Sequence, residues 1–127
     1  MRNQKFYICK TCGNLVGKID NGGVPMMCCG EEMEELVPHM QDGAREKHLP
    51  VYTLTDNVLE VSIGEVAHPM SEEHNISWVY VETQHGGQRK ILKVNSEPTV
   101  KFSLVEDKPV SIFAYCNLHG LWKTEVK

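Results

Sequence analysis

The segment Cys116-Asn-Leu-His119-Gly120 sets a thiol and an imidazole three residues apart, and three more histidines, His48, His68 and His74, lie upstream. Four imidazoles and one sulfur exceed what a closed structural zinc site uses, since such a site is normally complete with four ligands. Five N and S donors suit a redox metal that accepts higher coordination and keeps one position open, and iron is the first candidate. Any one histidine is more often an ordinary surface or hydrogen-bonding residue, so it is the combination that points to a metal. His39 and His85 lack this context and read as solvated residues.

A second donor cluster lies at the other end of the chain. Four of the five cysteines, Cys9, Cys12, Cys28 and Cys29, fall within the first thirty residues. Cys9-Lys-Thr-Cys12-Gly13 has the form of a metal knuckle: two intervening residues let both sulfurs face one ion, and Gly13 relieves the tight turn. Its partner pair is less usual, because the side chains of adjacent residues tend to diverge. Cys28 and Cys29 reach one metal only if the backbone between them distorts. The spacing leaves iron and zinc both open.

The elements that must carry these donors differ along the chain. Residues 1–37 hold the clustered cysteines, five glycines and few large apolar side chains, too little for a core without a staple. Pro38-His39-Met40-Gln41-Asp42-Gly43 reads as a linker. Runs rich in Val, Ile, Thr, Trp and Tyr follow at about 51–55, 58–64, 75–83, 89–94, 99–105, 110–116 and 121–126. Alternation is clear in Leu59/Val61/Ile63, Val100/Phe102/Leu104 and Val110/Ile112/Ala114, which face a core while Lys101, Ser103 and Ser111 face water. Helical periodicity is not sustained anywhere. Seven short antiparallel strands predict an immunoglobulin-like β-sandwich in residues 38–127, without the disulfide of antibody domains. Cys116 ends a strand in phase with the core-facing residues, so its sulfur is expected to point inward.

Composition excludes several classes. A net charge of −4 with scattered Lys and Arg offers no basic stripe for nucleic acid. Apolar runs are too short to span a membrane. An odd cysteine count, with no basic start leading into a long apolar run, argues against a secreted disulfide scaffold and for thiols kept reduced in the cytoplasm.

Taken together, these motifs resemble the desulfoferrodoxin family, the two-iron superoxide reductases, over essentially the whole chain. Cys9-x-x-Cys12 with Cys28-Cys29 is similar to the family's desulforedoxin-like iron centre. Glu46-Lys47-His48, His68-Pro69, Glu73-His74 and Cys116-Asn-x-His119-Gly120 are similar to its catalytic centre. The resemblance implies a mainly β protein with a desulforedoxin-like tetracysteine iron domain at 1–37 and a superoxide reductase domain at 38–127. It implies two irons per chain, the second in a square pyramid with His48, His68, His74 and His119 equatorial and Cys116 axial. It also implies a homodimer, a rubredoxin-like electron donor and reduction of superoxide to hydrogen peroxide. Lys47, beside a ligand, is expected to draw the anion in, and the Glu46 carboxylate to bind the oxidised metal and leave on reduction. The rivals are a cupredoxin-like copper protein, which needs only two histidines and usually a Met shortly after the last of them, and a zinc-stapled binding module.

Overall fold

The computed structural model describes residues 3–42 and 47–127. They fall into two compact units that divide between Val37 and Pro38. In the first, β1 (Lys5–Ile8) and β2 (Leu15–Lys18) form a hairpin, β3 (Met27–Cys28) pairs with β4 (Glu31–Glu32), and β5 (Glu34–Glu35) adds to the free edge of β1. The chain reverses between β1 and β2 through the cysteine knuckle. There Gly13 N donates to Cys9 O at 2.7 Å and Cys9 N donates to Asn14 O at 2.8 Å. Gly13 takes φ +85°, a conformation that costs glycine nothing. Among the described residues of this unit, only Phe6, Cys9 and Met33 are buried apolar residues. So small an apolar core leaves room for a metal staple.

The second unit is a pair of facing antiparallel sheets. One has the order β10-β7-β6, from β6 (Pro50–Thr55), β7 (Val58–Ile63) and β10 (Thr99–Ser103). The other has the order β12-β11-β8-β9, from β8 (Ile76–Thr83), β9 (Gly86–Ile91), β11 (Pro109–Cys116) and β12 (Gly120–Glu125). The predicted alternation fills the space between them: Leu59, Val61 and Ile63 from β7 and Phe102 from β10 meet Ile76, Val79, Val81, Ile112 and Ala114 from β8 and β11. Burying these side chains is the main source of stability, each Val, Leu, Ile or Phe contributing about 1.5–3 kcal/mol. Asp56-Asn57 makes the two-residue turn between β6 and β7, with Asp56 at φ +54°, a geometry that a short polar side chain tolerates. No helix occurs among the described residues, so none is long and apolar enough to cross a membrane.

Two details depart from the sequence reading. Ser111 does not face water; it is 2% exposed. It does lie on the outer face of β11, but β11 is flanked by β8 and β12, whose long side chains roof that face. The Ser111 hydroxyl donates to Glu125 Oε2 at 3.0 Å, and neighbouring Phe113 lies under Lys123 Nζ at 5.3 Å and beside Tyr80. The second departure is β9, which begins at Gly86 rather than near residue 89. The turn before it is Gln84-His85, and Gly87 pairs with Glu82 in the ladder, at a position where the Tyr80 ring leaves no room for a side chain.

One surface feature carries a pH prediction. Asp107 accepts from the Thr83 hydroxyl at 2.6 Å, from His85 N at 3.1 Å and from Lys108 N at 3.0 Å. The Thr83 bond, followed by the two backbone donors, holds its carboxyl below the usual range. Stability from such a group is present above the unfolded pKa of about 3.9 and is lost as pH falls through the lower folded value. Asp107→Asn is therefore less stable at pH 7 and loses part of the acid decline below about pH 4. Urea unfolding at pH 7, 5, 4 and 3 checks this, and a wild-type-minus-variant difference that does not change with pH would refute it.

Candidate metal centres

In the first unit the ligand atoms of Cys9, Cys12, Cys28 and Cys29 all lie within 4.8 Å of one another. Sulfurs each about 2.3 Å from a common ion in a tetrahedron stand about 3.8 Å apart; Cys12 Sγ and Cys28 Sγ are 3.6 Å apart. The distortion that adjacent cysteines require is present, with Cys29 in the left-handed region at φ +54° and Gly30 following at φ +76°. Asn14 serves the sulfurs twice, its backbone N–H donating to Cys12 Sγ at 3.5 Å and its side-chain amide to Cys28 Sγ at 3.7 Å. All five cysteines of the chain are free thiols. The Cys12 backbone first, then neighbouring donors, lowers Cys9 to about 7. Hydrogen bonds with Cys12, Cys9 and Cys28 push Cys29 up to about 12. Four crowded thiols release a first proton readily and resist losing the last, so a cation that neutralises all four suits the site.

The second cluster is assembled from four separate stretches of the second unit. Ligand atoms of His48, His68, His74 and Cys116 lie within 4.8 Å of one another. His119 joins them: its Nδ1 stands 3.2 Å from His48 Nε2 and 3.8 Å from Cys116 Sγ. Two nitrogens each about 2.1 Å from one ion and at right angles are about 3 Å apart, so the spacing fits a shared metal. The imidazoles close a ring, with centroids 4.6 Å apart from His48 to His68, 4.8 Å from His68 to His74, 5.2 Å from His74 to His119 and 5.0 Å from His119 to His48. His48, His68 and Cys116 are buried, whereas His119 is exposed. Four imidazoles around one point exceed the two of a cupredoxin site.

Local structure explains each placement. Cys116 ends β11 opposite Gly120, and the three-residue turn Asn117-Leu118-His119, closed by Gly120 at φ +84°, brings the imidazole back over the sulfur. A register shift against β8 between Tyr115 and Cys116 bends the strand beside the site. His68 Nδ1 lies 2.8 Å from Pro69 O; a carbonyl only accepts, so Nδ1 carries the proton and Nε2 keeps its lone pair. His74 sits in a turn where its N–H donates to Ser71 Oγ and its carbonyl accepts from Ser71 N. Asn117 ties that turn to the Cys116 hairpin, accepting from Asn75 N at 2.8 Å and donating to Glu73 O at 2.9 Å.

Sequence reasoning missed three supports. Asp42 Oδ1 accepts from His48 N at 2.6 Å and Leu49 N at 3.0 Å, fixing the backbone of the first ligand. Gly64, at φ +85°, lets the His48 arm and the His68 loop meet; a Cβ there would stand 2.5 Å from the carbonyl oxygens of Lys47 and Val66. Trp122 stacks on the His48 ring at 4.3 Å. Lys47 is half-buried directly before His48, while Glu46 lies outside the described residues.

Fold and clusters define a small all-β protein built around two metal centres. The Desulfoferrodoxin family model matches residues 40–125. The desulfoferrodoxin of Nitratidesulfovibrio vulgaris is 43% identical, with the alignment covering 98% of this chain and 99% of that protein. The superoxide reductase of Pyrococcus horikoshii is 36% identical over 68% of this chain and 90% of its own. Among solved structures, the superoxide reductase from Treponema pallidum superposes with a TM-score of 0.85 and 31% identity, covering 98% of this chain and 100% of that one. The chain belongs to the desulfoferrodoxin family. Its four-cysteine and His/Cys clusters fit two iron sites.

Proposed function

We propose that this chain is a superoxide reductase, which consumes one superoxide, one electron and two protons to give hydrogen peroxide and releases no dioxygen. The observation that carries the reading is the closed ring of four imidazoles joined to one buried sulfur. In this reading His48, His68, His74, His119 and Cys116 hold the catalytic iron of a domain at 38–127. Cys9, Cys12, Cys28 and Cys29 hold a second iron in a domain at 1–37. Iron, when bound, supplies the one-electron couple and a Lewis-acidic position for an anion. Neutral imidazoles add no charge and one thiolate subtracts one, so the donor set leaves a divalent ion about one unit positive.

Lys47 adds a second positive charge next to His48, where it attracts superoxide and orients water that supplies protons. Glu46, one residue earlier, is the carboxylate that caps the oxidised centre. A rubredoxin-like protein delivers the electron, and two copies of the chain associate as a homodimer; both follow from the family resemblance. Five free cysteines support a cytoplasmic, reducing location.

Product yields test the proposal. Reduced protein mixed with superoxide generated by pulse radiolysis consumes it with a peroxide yield of one per superoxide and no dioxygen from the reaction. Cys28→Ser removes the charge-transfer bands of the four-cysteine centre and leaves those of the His/Cys centre. Dioxygen released at half the superoxide consumed would identify a dismutase, and one metal per chain in the unsubstituted protein would remove the two-centre reading.

A further inference from the structure

His48 and His119 are neighbours in the imidazole ring, and one side chain touches both. The Trp122 indole lies almost parallel to the His48 ring, 10° apart in plane and 4.3 Å between centroids. Its Nε1–H donates to the backbone carbonyl of His119 at 3.2 Å. The indole is itself held: it is 7% exposed, its residue pairs with Ala114 in the ladder between β11 and β12, and the His39 ring packs on it at 4.6 Å. His39 is brought there by a short parallel bridge, with His39 N donating to Leu121 O and Lys123 N donating to His39 O, each at 2.9 Å. The linker histidine, expected to be solvated, is exposed yet packed against the indole.

We infer that Trp122 is a positioning residue that orients His48 through its ring and His119 through its peptide, with His39 as its outer support. This rests on the reading of the cluster as an iron site. A flat ring stacked on an imidazole restricts rotation about the bond joining that imidazole to its chain, and a donated hydrogen bond fixes the peptide from which the other ligand projects. His68 and His74 have separate supports, Pro69 O for one and Ser71 with Asn117 for the other. Loss of the indole therefore loosens one side of the ring and leaves the opposite side in place. Groups that orient metal ligands are worth about 10–100-fold in metal affinity or activity.

The four-cysteine centre of the same chain serves as the internal control. Full-length Trp122→Leu, Trp122→Phe and His39→Ala are loaded with iron, and a chelator removes it while the bands of each centre are followed; the midpoint potential of the His/Cys centre is measured alongside. Trp122→Leu loses iron from the His/Cys centre about 10–100-fold faster and shifts its potential and spectrum. Trp122→Phe, which keeps a ring but loses the N–H, falls between it and wild type, and His39→Ala shows a smaller effect of the same sign. Release from the four-cysteine centre stays at the wild-type rate in all three. Should Trp122→Leu not fold, the other two variants carry the test. Unchanged release and potential at the His/Cys centre would overturn the inference, as would equal acceleration at both centres. A wild-type chain that takes up no metal at the His/Cys cluster would instead overturn the functional reading beneath it.

Discussion

Cys116→Ser eliminates the thiolate absorption of the His/Cys centre and lowers superoxide reduction by more than about 100-fold, while the four-cysteine centre keeps its metal and its bands. The expected size follows from rank: residues that merely orient a ligand are worth about 10–100-fold, and Cys116 is the one cysteine in its cluster among the described residues. Serine nearly preserves the shape but remains protonated where the thiol ionises, so the site loses both a donor and a negative charge. The fold tolerates the change at this position. Cys116 closes the hairpin through its backbone pairing with Gly120, which serine leaves intact, and serine leaves no large cavity. Iron content, the visible spectrum and the rate with superoxide check the three parts. A variant that retained the thiolate bands or wild-type turnover would remove Cys116 from the ligand set. Loss of iron from both centres would mean that the substitution unfolds the chain.

What could be read from the sequence, and what could not, divides by the range of the interaction. The β-sandwich was legible because alternation is local: Leu59, Val61 and Ile63 announce their face within five residues, and the core contains all three. The crowding of Cys9, Cys12, Cys28 and Cys29 was legible for a related reason, since two-residue spacing in a knuckle is a local geometric demand and the second pair has few other tasks in so small a unit. The supports were not legible. Asp42 reaches backbone groups six and seven residues away, Asn117 reaches Asn75 and Glu73 across more than forty, and Gly64 matters only because another segment passes close to it. In sequence these are an ordinary aspartate, asparagine and glycine. His39 illustrates the same limit: its surroundings are polar linker residues, but a bridge to β12 puts its ring on Trp122. Ser111 was misjudged because alternation tells which face a residue occupies and not whether side chains of the flanking strands cover that face.

The last expectation joins the site to the field of the whole molecule. A formal net charge of −4 repels an anionic substrate at long range, so association must rely on a local positive region beside the metal. Lys47 is the cation adjoining the ligand set in sequence, half-buried and directly before His48, whose backbone is anchored by Asp42. An anchored backbone next to a long flexible side chain lets the charge act near the ligands without disturbing them. Steering of this kind changes association rates by about 10- to 1000-fold and weakens as salt shortens the Debye length to about 8 Å at physiological ionic strength. Lys47→Ala therefore slows the bimolecular reaction of the reduced protein with superoxide by at least about 10-fold and flattens its dependence on salt. Lys47→Arg, which keeps the charge, preserves most of both. Pulse radiolysis at several ionic strengths measures rate and slope together. That pairing separates steering from ligand disturbance, because a variant that merely loosened His48 would change the spectrum and lose rate while keeping the wild-type salt slope. An unchanged rate in Lys47→Ala would take steering away from this residue, and the positive field would then have to come from the metal and its donor set alone.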